Sequence, residues 1–165
     1  MKKITILLGI VLCTVVCEAQ PLEMEYQSED DPGVTTKLKN PICPMGVYIA
    51  DPTSRVALDG RLYIYGSLDT TPEQYCSKDY HVLSTSDLSN WTLNRYSFSC
   101  DKVIYAPDLI YKNGTYFLYY ENPNGDEFVA ESKSPTGPFK NGVKIDGPQQ
   151  IDPNVFIDDD GQAYY

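Results

Sequence analysis

ADPTSRVALDGRLYIYGS, residues 50–67, is a strand, a tight turn and a returning strand, and its outline occurs twice more: APDLIYKNGTYFLYY at 106–120 and IDPNVFIDDDGQAYY at 151–165. Each copy has a proline beside an aspartate at the strand head, a short apolar run, a turn ending in glycine (Asp59-Gly60, Asn113-Gly114, Asp160-Gly161) and a tyrosine-rich return. Proline and glycine are separated by eight, seven and eight residues (52 to 60, 107 to 114, 153 to 161). Asn-Gly and Asp-Gly between alternating strands are the strongest short hairpin signal, because both turn residues must take positive φ.

A second pattern follows the first two hairpins. YHVLSTSDLSNWTL (80–93) and EFVAESKSPTGPFK (127–140) each run as an alternating strand, a serine, a turn and a closing aromatic, Trp91 or Phe139. Two hairpins per unit make four strands, and Asp51, Asp108 and Asp152 at the unit heads are 57 and 44 residues apart. Four antiparallel strands recurring at that spacing predict β-propeller blades. An immunoglobulin-like sandwich would not repeat Asp-Pro at the head of every fourth strand. The expected organisation is blade I over about 47–100, blade II over about 101–149 and the start of a third blade at 150–165. Fourteen tyrosines and twelve prolines agree with strands broken by turns.

Residues 1–19 read as a secretory signal peptide. Lys2 and Lys3 precede an uncharged run from Ile4 to Val16, and Ala19 supplies the small residue at the cut. A run this short cannot cross roughly 30 Å of hydrocarbon, so no membrane span is expected. Lipid attachment at Cys17 is the rival reading, disfavoured by Val16 in front of it. The protein is thus expected to be secreted or periplasmic. Residues 20–40 are polar, acidic and without pattern, which reads as a flexible lead-in before a folded region at 41–165.

The chain has 13 Lys+Arg against 23 Asp+Glu, a formal charge of -10. Such a surface repels phosphate backbones and anionic lipid, so nucleic acid is excluded as a partner and neutral substrates remain. Beyond the leader stand Cys43, Cys76 and Cys100, with no CxxC pair. At most one disulfide can form, with nothing to single out Cys76–Cys100, and a metal cluster is not expected. IDDDG is not a calcium loop, because Phe156 falls where the EF-hand pattern needs an oxygen ligand. His81, the lone histidine, leads into an apolar strand and reads as structural.

In a propeller the innermost strands line the axis, so residues at their heads converge. Asp51, Asp108 and Asp152 are therefore expected to share a pocket, as if at one repeat position. Aspartate beside proline is also a common turn former, and for one such pair that reading would prevail. Three in one repeat position favour function: crowded carboxylates raise one another's proton affinity, which lets one stay protonated while another is ionised. Glycosidic hydrolysis needs that division of labour.

GVYIADPTSRVALDGRLYIYGS (46–67), YAPDLIYKNGTYFLYY (105–120), SKSPTGPFK (132–140) and IDPNVFIDDDGQAYY together resemble glycoside hydrolase family 43, over about residues 40–165. The resemblance implies a five-bladed β-propeller, present here as about two and a half blades. It implies inverting hydrolysis of arabinose- or xylose-containing plant polysaccharide, with an oligo- or polysaccharide as partner. Asp51 corresponds to the family's general base and Asp152 to the carboxylate that keeps the donor's pKa up. Asp108 falls in the aromatic-Ala-Pro-Asp motif, in substrate contact or loop support, and Tyr105 stands where many members have Trp on the sugar platform. No cofactor is implied, although some members hold an axial calcium. The family's proton donor is a Glu in a motif well beyond IDPN, and the sequence stops thirteen residues after Asp152. The expectation is a chain without the donor, inactive and poorly stable alone. Two further readings stand beside it: a non-catalytic sugar-binding propeller or remnant, and a retaining fructan hydrolase, which Ala50 and Thr53-Ser54 fit poorly.

Overall fold

The structure, a computed structural model, describes residues 34–37, 42–70 and 76–165. The expected leader and most of the expected lead-in lie outside the described residues.

Among the described residues all regular elements are strands. The first sheet has the order β1-β5-β4-β3-β2, from β1 (Val34–Lys37), β2 (Tyr48–Val56), β3 (Leu62–Asp69), β4 (Asp79–Thr85) and β5 (Asn90–Ser99). The second is β6-β7-β8-β9, from β6 (Tyr105–Lys112), β7 (Thr115–Glu121), β8 (Asp126–Ser132) and β9 (Lys140–Gln149). A third pair, β10 (Phe156–Ile157) and β11 (Ala163–Tyr164), is a hairpin. Each large sheet contains an up-and-down four-stranded blade whose first strand is innermost. The IDDDG stretch forms the third hairpin's turn, where the amide of Gly161 donates to Asp158 O at 2.8 Å and Asp158 N to Gln162 O at 2.9 Å.

One expectation is corrected. Residues 34–37, placed in a flexible lead-in, form β1 and pair antiparallel with β5, Val34 opposite Leu93 and Lys37 opposite Asn90. A polar segment gives no apolar periodicity to read, yet its backbone groups can complete the open edge of β5.

Strand alternation decides the packing. Tyr63 and Tyr65 of β3, Tyr80 and Val82 of β4, and Phe98 of β5 meet Leu109, Tyr116, Leu118, Tyr120 and Ala130 in one buried cluster between the two blades. Each fully buried large side chain contributes about 1.5–3 kcal/mol, so this layer is the main glue of the fold. The tyrosine hydroxyls stay satisfied: Tyr65 donates to Pro135 O, Tyr80 to Tyr105 O, and Tyr63 to Asp59 Oδ2 at 2.7 Å. The opposite face of blade I buries Leu83, Trp91 and Leu93 with Val47 and Ile49. His81 is buried and accepts the Tyr96 amide on Nδ1 at 3.1 Å, a structural role. Cys43, Cys76 and Cys100 are all free thiols.

Candidate active site

Both innermost strands break register at one place. In β2 the break falls between Ala50 and Thr53, and in β6 between Tyr105 and Asp108. Each bulge holds a proline, Pro52 or Pro107, as its lack of an N–H requires of a proline within a sheet. The bulge fixes the true equivalences: Asp51 matches Ala106, and Thr53 matches Asp108. The expectation of three aspartates at one repeat position is therefore corrected. Asp51 and Asp152 precede their prolines, whereas Asp108 follows its own and points elsewhere in function.

Asp51 has φ 46° and Asp152 has φ 62°, the left-handed region that non-glycine residues rarely enter. Residues before proline are normally driven to extended backbone, which makes the two cases harder to account for by local preference alone. Ala106 does not share the conformation. Backbone strain of this kind, about 1–3 kcal/mol per residue, persists where the surroundings impose it and clusters at functional sites. Part of the enforcement is Gly66 on β3. A Cβ there would run into the Ile49 side chain and stand 2.6 Å from Ala50 O, so only glycine lets the bulge carrying Asp51 lie this close.

Asp51, Asp108 and Asp152 line one open cleft of about 370 Å³ with Thr53, Pro107 and Asn154. Two chain segments a hundred residues apart in number thus bring solvent-exposed carboxylates, Asp51 and Asp152, to a common opening. Asp108 is different: it is 1% exposed. Its Oδ1 accepts Arg55 Nη2 at 2.6 Å and Thr53 Oγ1 at 2.8 Å, and its Oδ2 accepts the Val155 amide at 2.8 Å. Arg55 Nε also donates to Leu109 O at 2.8 Å. Asp108 therefore ties blade I to the start of the third blade beneath the cleft. Tyr105 is half-buried at the head of β6, with its carbonyl held by the Tyr80 hydroxyl.

Sequence reasoning missed Glu121. At the end of β7 it pairs with Tyr105, is 1% exposed, and accepts the Asp152 amide on Oε2 at 2.9 Å. Burial, opposed by that hydrogen bond and reinforced by the charges of Asp152, Glu127 and Asp51, pushes its carboxyl up to about 7. Alternation held the signal: Tyr116, Leu118 and Tyr120 face blade I, so Phe117, Tyr119 and Glu121 face the third blade.

A slightly larger groove, about 430 Å³, lies at the rim between blades I and II. Its rings are spent on one another, Phe98–Tyr120 at 4.7 Å and Tyr120–Phe128 at 5.3 Å, and Asp101 is the one acid among the described residues lining it. It offers no carboxylate pair, so the smaller cleft is the candidate site.

The family model of glycosyl hydrolases family 43 matches residues 38–165. Xylosidase/arabinosidase 43A of Humicola insolens is 36% identical over 140 residues, 72% of this chain and 42% of that protein. A beta-xylosidase of Xylanibacter ruminicola is 32% identical over 142 residues, covering 71% and 43%. Among solved structures, an alpha-L-arabinofuranosidase from Clostridium thermocellum superposes with TM-score 0.56 at 40% identity, covering 68% of this chain and 45% of that one. A compost-metagenome beta-xylosidase/alpha-arabinofuranosidase in complex with xylotriose gives 0.57 at 34%, covering 71% and 41%. The chain spans less than half the length of these relatives, whose family fold is the five-bladed β-propeller. With its repeated blades and bulged inner strands, the chain belongs to glycosyl hydrolases family 43.

Proposed function

We propose that the protein is a glycoside hydrolase that cleaves arabinose- or xylose-containing plant polysaccharide with inversion at the anomeric carbon. Asp51 is the general base: it takes a proton from a water whose oxygen attacks that carbon, while a proton donor on the opposite side protonates the departing glycosidic oxygen. Asp152 acts on the donor, its negative charge keeping that acid protonated near neutral pH. Tyr105, which precedes cleft-lining Ala106 but does not itself line the cleft, keeps its proposed role beside the sugar through the family resemblance alone, and Asp108 supports the cleft from beneath, since its oxygens are occupied by protein donors. Hydrolysis of this kind needs no redox or group-transfer cofactor.

The observation that carries the reading is the pair Asp51 and Asp152, each strained, each before a proline, both open to one cleft. The names of the relatives, xylosidase and arabinosidase, and the xylotriose bound by one of them support the substrate class. A donor must reach the glycosidic oxygen. Glu121 is buried and bonded to a backbone amide, and no glutamate is among the described residues lining the cleft. The donor in this reading is an acid other than Asp51, Asp152 and Glu121. The same observation favours a second reading for these residues taken alone, a propeller that binds sugar without cleaving it. Export to the periplasm or the medium is part of the same proposal, on the signal-peptide character of residues 1–19.

The test is to incubate the full-length natural protein with nitrophenyl arabinofuranoside, nitrophenyl xyloside and xylotriose, following the first-formed anomer by proton NMR. Release of product with inverted configuration is expected. Binding of xylotriose without hydrolysis would establish the second reading, and retention of configuration would remove Asp51 from the role of base.

A further inference from the structure

Glu121 has no part in the reaction as proposed, yet its position is the most demanding in the site. A carboxylate that is 1% exposed is costly, and its oxygen accepts the amide of Asp152, thirty-one residues away in sequence. The groups around it are acidic or neutral: Asp51 from β2, Cys76 ahead of β4, Tyr80 on β4, Glu127 across the ladder on β8, and Asp152. Glu127 in turn accepts the Tyr165 hydroxyl, and Tyr165 packs on Tyr119 with ring centroids 5.5 Å apart. Blade II thus presents a face with two buried glutamates, and the third segment is hung on them at Asp152 and Tyr165.

A residue that merely filled space here would be apolar. What a carboxylate adds is an acceptor aimed at a strained amide. Asp152 at φ 62° before Pro153 needs outside restraint, and the restraint seen is its amide bonded to Glu121.

We infer that Glu121 is a positioning residue for the proposed reaction: from behind the cleft its carboxyl grips the Asp152 amide and fixes the left-handed turn that keeps the Asp152 carboxylate beside Asp51. This rests on the reading of Asp51 and Asp152 given above. Its consequence is on turnover more than on substrate affinity. Glutamine at this position preserves the acceptor oxygen and the shape while removing the charge. Leucine removes the acceptor altogether.

The experiment compares Glu121→Gln and Glu121→Leu with Asp51→Asn and Asp152→Asn in the full-length protein, measuring kcat and KM on the better nitrophenyl glycoside from pH 5 to 8.5. Glu121→Leu should lower kcat about tenfold or more, with KM changed less than about twofold, the pattern of a lost orienting contact. Glu121→Gln should keep kcat at pH 6 within about threefold of the parent, rescuing the leucine defect, because its oxygen still accepts the amide. Its kcat/KM should follow the parent's pH profile to within about threefold, since the acceptor that fixes Asp152 is retained. If Asp51→Asn and Asp152→Asn abolish turnover while Glu121→Gln and Glu121→Leu match the parent at every pH, the inference is overturned. If the two aspartate variants are themselves fully active, the underlying reading of the site fails instead. Should Glu121→Leu not fold, Glu121→Ala, which also removes the acceptor, decides: a kcat equal to the parent's refutes the role.

Discussion

Replacing Asp108 by alanine should unfasten the first blade from the third segment, and the structure sets the size of the effect. Three donors lose their acceptor together: the Arg55 guanidinium at 2.6 Å, the Thr53 hydroxyl at 2.8 Å and the Val155 amide at 2.8 Å. Arg55 is 34% exposed, so water recovers part of its loss. The Val155 amide is buried and recovers nothing, which costs about 1–3 kcal/mol. Removing one partner of a mostly buried ion pair adds to this, for a total of about 3–5 kcal/mol. Urea unfolding followed by the fluorescence of Trp91, the single tryptophan and 4% exposed in blade I, reads the change directly. The midpoint should fall with little change in slope. Asp108→Asn, which keeps one acceptor oxygen, should lose about half as much by the same accounting. A loss under about 1 kcal/mol for Asp108→Ala would refute the reasoning, because orphaned buried donors cannot be that cheap.

Two other outcomes follow from the site. Gly66→Ala should destabilise by about 1–3 kcal/mol through overpacking against Ile49 and Ala50, and should lower kcat by displacing the Asp51 bulge; thermal unfolding and steady-state kinetics check the two halves separately. Glu121 titrates at about 7 in the fold against an ordinary 4.5, so the native state binds the extra proton. Its contribution is full below about pH 4.5 and is lost as pH rises to about 7, a fall that salt should reduce where it screens exposed Asp51 and Asp152. Glu121→Gln should flatten that slope in urea titrations at pH 4.5 and 7.5.

Much of this was legible because a propeller repeats itself. Proline-to-glycine spacing located the hairpins, and Asp-Pro marked the two strained positions. Asp108 was harder to place. Its motif reads Ala-Pro-Asp, and only the bulge shows that proline, not aspartate, is the fixed point of the repeat. Glu121 was hidden at the end of a tyrosine-rich strand, since sequence shows that a strand alternates but not which face meets the next blade. The pairing of residues 34–37 with β5 was invisible for another reason: edge pairing uses backbone groups, which every sequence has.

The most direct measurement is the turnover of Asp51→Asn in the full-length protein on nitrophenyl xyloside and arabinofuranoside. Asparagine keeps the shape of the side chain and cannot accept a proton from water. The account predicts a fall in kcat of about 10²–10⁴ with KM within a few-fold of the parent. Unchanged kcat would contradict it, because an exposed, strained aspartate at the cleft would then have no part in activating water.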